Sequence, residues 1–240
     1  MHHVVLERWS RGASFVHARD ARAKTLASIA LLILIATAGS NFHMLAITYL
    51  VLLSAVAALA RLPVAGALRR AAVVLPFSLA FALISWISGD AQRALLLIEK
   101  SYLSSLTVIL LVGCTPLAEL LRGLESMYVP RFLLMVVQFL YRYLFVVIDQ
   151  AAQMRMAIEC RGGIRGQGDR FRAAAGALAV LFARSYARAE HIHRSMIARG
   201  FEGHFHLLST PRFRFSDAAF LAVFITVALA ARIAVERLSA

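Results

Sequence analysis

Two short stretches place a small residue, an arginine and a glycine where a helical pattern stops: Cys160-Arg161-Gly162 and Ala198-Arg199-Gly200. The glycines have a local reason to be there. A helix commonly ends on a left-handed residue, which glycine adopts without steric cost. The arginines have one too, because a cation suits the negative end of the helix dipole. A second chemistry is open to the same residues. Met154, Met156 and Ala157 precede the first end, and Met196 precedes the second. Methionine is an adaptable contact residue, and a guanidinium offers a planar five-donor fork to carboxylates or carbonyls. By residue type alone, these ends can cap their own helices or plug into the groove of a partner.

The histidines suggest a metal site and then argue against one. His191 and His193 fall in a helical stretch, where residues two apart point to different faces. His204 and His206 follow Gly203 and could share a face in extended chain, yet two ligands fall short of the three or four that zinc-type sites need. His43 sits at the expected external turn, where it could brush a metal on its way in, although chance exposure is the commoner case. Cys114 and Cys160, the only cysteines, stand in different segments and read as free thiols. Arg142 lies inside an apolar run, where it either snorkels or pairs with Asp149. A lone Gly-Gln-Gly at 166–168 follows no strand and is not a phosphate loop, and no GxxxxGK[ST] occurs anywhere. No catalytic residue, metal site or cofactor site is expected.

The elements that carry these residues belong to a membrane protein. Of 240 residues, 60% are hydrophobic and 16% charged, against about 45–50% and 25% in ordinary soluble domains. Mean hydropathy is +0.73. The net charge of +13 flanks apolar runs, which suits chain orientation, anionic headgroups or an acidic partner and argues against nucleic acid. Apolar runs at 25–40, 42–60, 71–89, 101–116 and 218–235 predict five spans, with Pro76 kinking the third and Trp86 near its end. The first run begins too far in to read as a cleavable signal peptide.

Basic residues set the expected topology. Arg8, Arg11, Arg19, Arg22 and Lys24 precede the first span, and Arg61, Arg69 and Arg70 separate the second from the third. The positive-inside rule therefore places the N-terminus in the cytoplasm. Residues 116–130 alternate apolar and charged residues at helical spacing, as an interfacial amphipathic helix does. Residues 131–150 are apolar enough to span but carry Gln138 and Arg142. The stretch 150–214 then holds eleven arginines against Glu159, Asp169, Glu190 and Glu202. Keeping that block inside means 131–150 does not cross. The expected organisation is a tail and four spans over 1–115, a cytoplasmic helical module over 116–214, and a last span over 215–240.

The chain resembles the transmembrane T component of energy-coupling factor transporters, most nearly the CbiQ type. "ERWSRGASFVHARDARAKTLASIALLI" resembles the family's opening, with Asp20, Arg22 and Lys24 matching its Asp-x-Arg-x-Lys block. Arg142-Tyr143 matches an Arg-Tyr pair before the first signature motif, and the family's two Ala-Arg-Gly-type motifs fall on 160–162 and 198–200. Cys160 departs from the usual alanine but is also small, and Asp149-Gln150 stands where an acidic pair is common.

The resemblance implies an all-α integral membrane protein with about five transmembrane helices and about three coupling helices, lodged in the inner membrane. It implies a non-catalytic subunit that links two cytosolic ABC ATPases to a substrate-binding membrane S subunit, for cobalt or nickel uptake or for a vitamin-type substrate. Cys160, Arg161, Gly162, Ala198, Arg199 and Gly200 become the expected ATPase-docking residues. Partners are then the two ATPases, the S subunit and membrane lipid. A membrane-embedded enzyme using His and Glu near 190–206 would need convergent acids that the spans lack. A self-sufficient channel would need polar residues lining a path, and spans one to four offer little beyond Ser and Thr.

Overall fold

The computed structural model describes residues 9–10, 12, 14–39, 42–127, 129–160, 167–203 and 214–239. Its regular structure is helical throughout: α1 (Ala21–Ala36), α2 (Phe42–Leu59), α3 (Val64–Ala71), a 3-10 turn (Ala72–Val74), α4 (Leu75–Ile87), α5 (Ala91–Cys114), α6 (Leu117–Glu125), α7 (Arg131–Cys160), α8 (Gln167–Ala198) and α9 (Phe215–Ser239). Among the described residues there is no strand. The chain divides into two compact units, one of residues 1–127 with 211–240 and one of residues 128–210. The amphipathic helix α6 packs on α1 and so belongs to the first unit.

In the first unit α5 is the central post, against which α1, α2, α3 and α4 pack, while α9 closes on α1 and α2. The core is aliphatic around one phenol. Leu31, Ile35, Leu53, Leu103, Leu106 and Leu110 surround Tyr49, which is fully buried. The Tyr49 hydroxyl donates to the Ala228 carbonyl across 3.3 Å, tying α2 to α9. Close approach of α6 to α1 requires Gly123, since a Cβ there would stand 3.3 Å from that of Ala21. Upstream of Pro76 the helix tightens to 3-10. Proline has no N–H for the Ala72 carbonyl, and the Leu75 N–H bonds to it instead.

The Asp20-x-Arg22-x-Lys24 block organises one end of this unit. Asp20 is the N-cap of α1, its carboxylate accepting from the Arg22 N–H at 2.9 Å. Lys24, one turn further on, is 4% exposed. Its ammonium donates to the His17 carbonyl at 3.2 Å and to the Cys114 carbonyl at 3.1 Å, the negative end of the α5 dipole. Asp217 of α9, also buried, accepts from the Asp20 N–H at 3.4 Å and the Arg214 N–H at 3.1 Å, with the Arg19 guanidinium 3.8 Å away. Three distant stretches of sequence thus meet at buried charges whose partners are largely backbone.

By length and composition, four helical stretches can cross a membrane: Val64–Ile87, Ala91–Cys114, Arg131–Cys160 and Phe215–Val235. Three of them overlap predicted spans: Val64–Ile87 with 71–89, Ala91–Cys114 with 101–116 and Phe215–Val235 with 218–235. The runs expected at 25–40 and 42–60 form the shorter helices α1 and α2. The fourth long stretch is the one that the charge pattern kept on one side. It reaches Cys160 because residues 151–159, rich in Ala and Met with an Arg155–Glu159 pair one turn apart, are good helix formers.

Candidate functional site

The second unit is a pair of long helices. Ala151, Met154, Ile158 and Glu159 of α7 share a cleft with Ala173, Ala174, Ala177 and Leu178 of α8. Phe139, Arg142 and Tyr143 face Arg188, Ile192 and Met196 across another. The two helices therefore run antiparallel. Cys160 closes α7 at the hairpin end, and Arg199 closes α8 at the opposite end. An α8 of 32 residues is about 48 Å long at about 1.5 Å per residue. Cys160, the described residue of the first motif, and Arg199 of the second stand at opposite extremes of the hairpin.

The second end is fully formed. The Phe201 N–H bonds to the Met196 carbonyl at 3.0 Å and the Gly200 N–H to the Ile197 carbonyl at 2.9 Å. Those two bonds define a Schellman cap with Gly200 at C′. Gly200 has φ +78°, which a side chain would strain, and empty space around its Cβ position. The cap folds Phe201 back so that it and Met196 line the same cleft. Ala198 and Arg199 are left exposed at the tip. Capping and presentation of Arg199 are thus one geometry. At the first end Cys160 is an exposed free thiol, whereas Arg161 and Gly162 lie outside the described residues.

The cleft beside the second end has a volume of about 870 Å³. On α8, Arg184, Arg188, His191, Ser195 and Arg199 line it at spacings of three or four residues, one face of the helix. From α7 come Phe139, Arg142, Tyr143 and Gln150. The Phe139 and Tyr143 rings stack with centroids 6.2 Å apart, and the Arg142 guanidinium lies 5.8 Å from the Tyr143 centroid. The pairing of Arg142 with Asp149 considered from sequence does not form; Asp149 is exposed and does not line the cleft. Composition offers no sign of this cleft, although the spacing 184, 188, 191, 195, 199 marks the basic face on α8.

Two exposed acids of the hairpin are engaged within their own helices. Glu190 pairs with Arg194 at 2.7 Å and Glu159 with Arg155 at 3.0 Å, both one helical turn apart on exposed surface. Among the described residues no carboxylate pairs with Arg142, Arg184, Arg188 or Arg199. His191 faces the cleft and His193 does not; His204 and His206 lie outside the described residues. His43 bonds to Glu99 at 2.7 Å, and no group of three or more His, Cys, Asp or Glu is gathered among the described residues.

Long apolar helices, together with a basic antiparallel hairpin, mark a polytopic membrane protein. The chain belongs to the CbiQ cobalt transport protein family, whose model matches residues 12–208 and so includes both Arg–Gly ends. A cobalt transport protein CbiQ of Rhodobacter capsulatus is 33% identical over 42% of this chain and 41% of its own length. An uncharacterized protein of Methanocaldococcus jannaschii is 27% identical over 43% of this chain and 39% of its own. The chain thus aligns with about two fifths of each of these relatives.

Proposed function

We propose that this chain is the non-catalytic transmembrane coupling subunit of an energy-coupling factor importer. Its two Arg–Gly helix ends engage two cytosolic ATPases and pass their motion to a substrate-binding membrane subunit. The observation that carries this reading is the placement of Cys160 and Arg199 at opposite ends of one antiparallel hairpin. A single groove cannot receive two tips about 48 Å apart, whereas two copies of one groove, on two ATPases, can. Arg199 is displayed on a rigid Schellman cap with no carboxylate of its own, so its donors are free for a partner. Membership of the CbiQ family supports cobalt, or a similar divalent metal such as nickel, as the cargo. The hairpin then faces the cytoplasm, as the eleven arginines of 150–214 require, with the N-terminus on the same side of the inner membrane.

The test is co-purification. Full-length chain expressed with its ATPases and substrate-binding subunit should retain both ATPases. Arg161→Glu and Arg199→Glu should each lower ATPase recovery, and the double variant should abolish it while the protein stays in the membrane fraction. Full ATPase recovery with the double variant would overturn the assignment.

A further inference from the structure

The hairpin is joined to the first unit twice along the chain, before residue 128 and after residue 210. Both connections are fastened to the start of α1. On the outgoing side, α5 ends at Cys114, whose carbonyl accepts from the Lys24 ammonium at 3.1 Å. The next helix, α6, lies with Gly123 against Ala21 and Arg22. On the returning side, one Asp217 oxygen accepts from the Arg214 N–H at 3.1 Å and the other from the Asp20 N–H at 3.4 Å. The Arg19 guanidinium stands 3.8 Å from the same carboxylate. One short stretch, Arg19 to Lys24, therefore holds the last helix before the hairpin and the first described residue after it.

Stability alone does not account for charges at this place. Burying an ion carries a desolvation penalty that apolar side chains avoid, and well-packed apolar replacements of buried ion pairs are often as stable. What buried ions add is direction. Each of their hydrogen bonds fixes an angle as well as a distance, so a packed network of them holds discrete arrangements. This network is also not closed. Arg19 Nε, Arg22 Nε, Asp20 Oδ2 and Thr115 Oγ1 are buried without a hydrogen-bond partner. Unpaired donors and an unpaired acceptor on neighbouring residues give it a second set of pairings to move to. We propose that Lys24 and Asp217 are positioning residues that carry the hairpin's movement into the spans. A pull on either connection acts on the first turn of α1 and, through the Cys114 carbonyl, on the end of α5, the post on which α1 to α4 pack. The inference rests on the coupling-subunit reading above and adds to it the residues through which motion enters the first unit.

The test uses the full complex, with its ATPases and substrate-binding subunit, in proteoliposomes, and reads cobalt(II) taken up per ATP hydrolysed. Lys24→Arg and Asp217→Asn keep the bulk of the native groups and change the geometry of their bonds. Each should retain both ATPases, hydrolyse ATP, and lower the uptake ratio at least about fivefold, the low end of an ordinary coupling between sites. Tyr49→Phe breaks a bond between α2 and α9 in the same core and should leave the ratio at the wild-type value. An unchanged ratio in Lys24→Arg and Asp217→Asn, or a ratio that follows the thermal midpoint across all three variants, would overturn the proposal. A second measurement decides where a variant fails to assemble, because it needs only the wild type. Hydrogen exchange at the Asp20 and Arg214 amides, both bonded to Asp217, should differ between the nucleotide-free complex and the complex with a non-hydrolysable ATP analogue. Equal protection of both amides in the two states would overturn the proposal as well. A wild-type complex that retains no ATPase, or takes up no cobalt, would overturn the function proposed above and this inference with it.

Discussion

The two units handle charge in opposite ways. In the first, Lys24 and Asp217 are each 4% exposed and are held by backbone carbonyls and N–H groups from three parts of the chain. In the second, arginines line an open face and lack acidic partners, and on α7 only Leu134 is buried. Exposed apolar residues differ in the same sense. Val73, Phe77, Phe81 and Ile87 of the first unit stand in an uncharged run, as a lipid-facing surface should. Phe171, Phe182 and Tyr186 of the second sit beside or between arginines. The first unit is stabilised from within. The second buries little of its own surface and leaves most of both helices exposed.

If that contrast is right, substitutions should divide cleanly between loss of fold and loss of assembly. The largest stability effect is expected at Asp217→Ala, which leaves Arg19 and two backbone N–H groups without their acceptor. A cost of about 3–5 kcal/mol follows for breaking a buried charged pair, read as a collapse of monodisperse protein on detergent size-exclusion. Lys24→Met should cost about 1–3 kcal/mol by stranding the His17 and Cys114 carbonyls, visible as a lowered thermal midpoint. Tyr49→Phe removes only the bond to Ala228 and should cost about 1 kcal/mol.

Gly200→Ala in the second unit should cost about 1 kcal/mol through its positive φ, yet weaken ATPase recovery more than Tyr49→Phe does at equal stability. The smallest effect is expected at the exposed Arg194–Glu190 pair, where Arg194→Gln should change the midpoint by less than about 0.5 kcal/mol. Wild-type recovery of ATPase by Gly200→Ala would break the comparison. Topology sharpens it: a membrane-impermeant maleimide should label the exposed Cys160 only after the cells are opened, and buried Cys114 should stay unlabelled in native protein.

Helical class, the apolar runs and the helix ends at Cys160 and Ala198 were legible in the sequence, because helix periodicity, glycine stops and hydrophobic length are local properties. The role of Asp20 as a cap was within reach for the same reason. The end of α7 at Cys160 was legible as well, because the glycines that follow it are a local stop signal. The Lys24 and Asp217 junction gave little local sign, since its partners lie 90 to 197 residues away.

By itself, then, the sequence determined where helices run and stop and which of their tips carry a guanidinium, since both follow from neighbours within a turn or two. Only the tertiary structure decided that α7 and α8 lie antiparallel, that their two ends therefore point to opposite extremes, and that Arg142 joins Arg184 and Arg188 around one cleft. Those facts depend on which faces of two separate helices bury against each other, and no spacing within either helix encodes the partner it will meet.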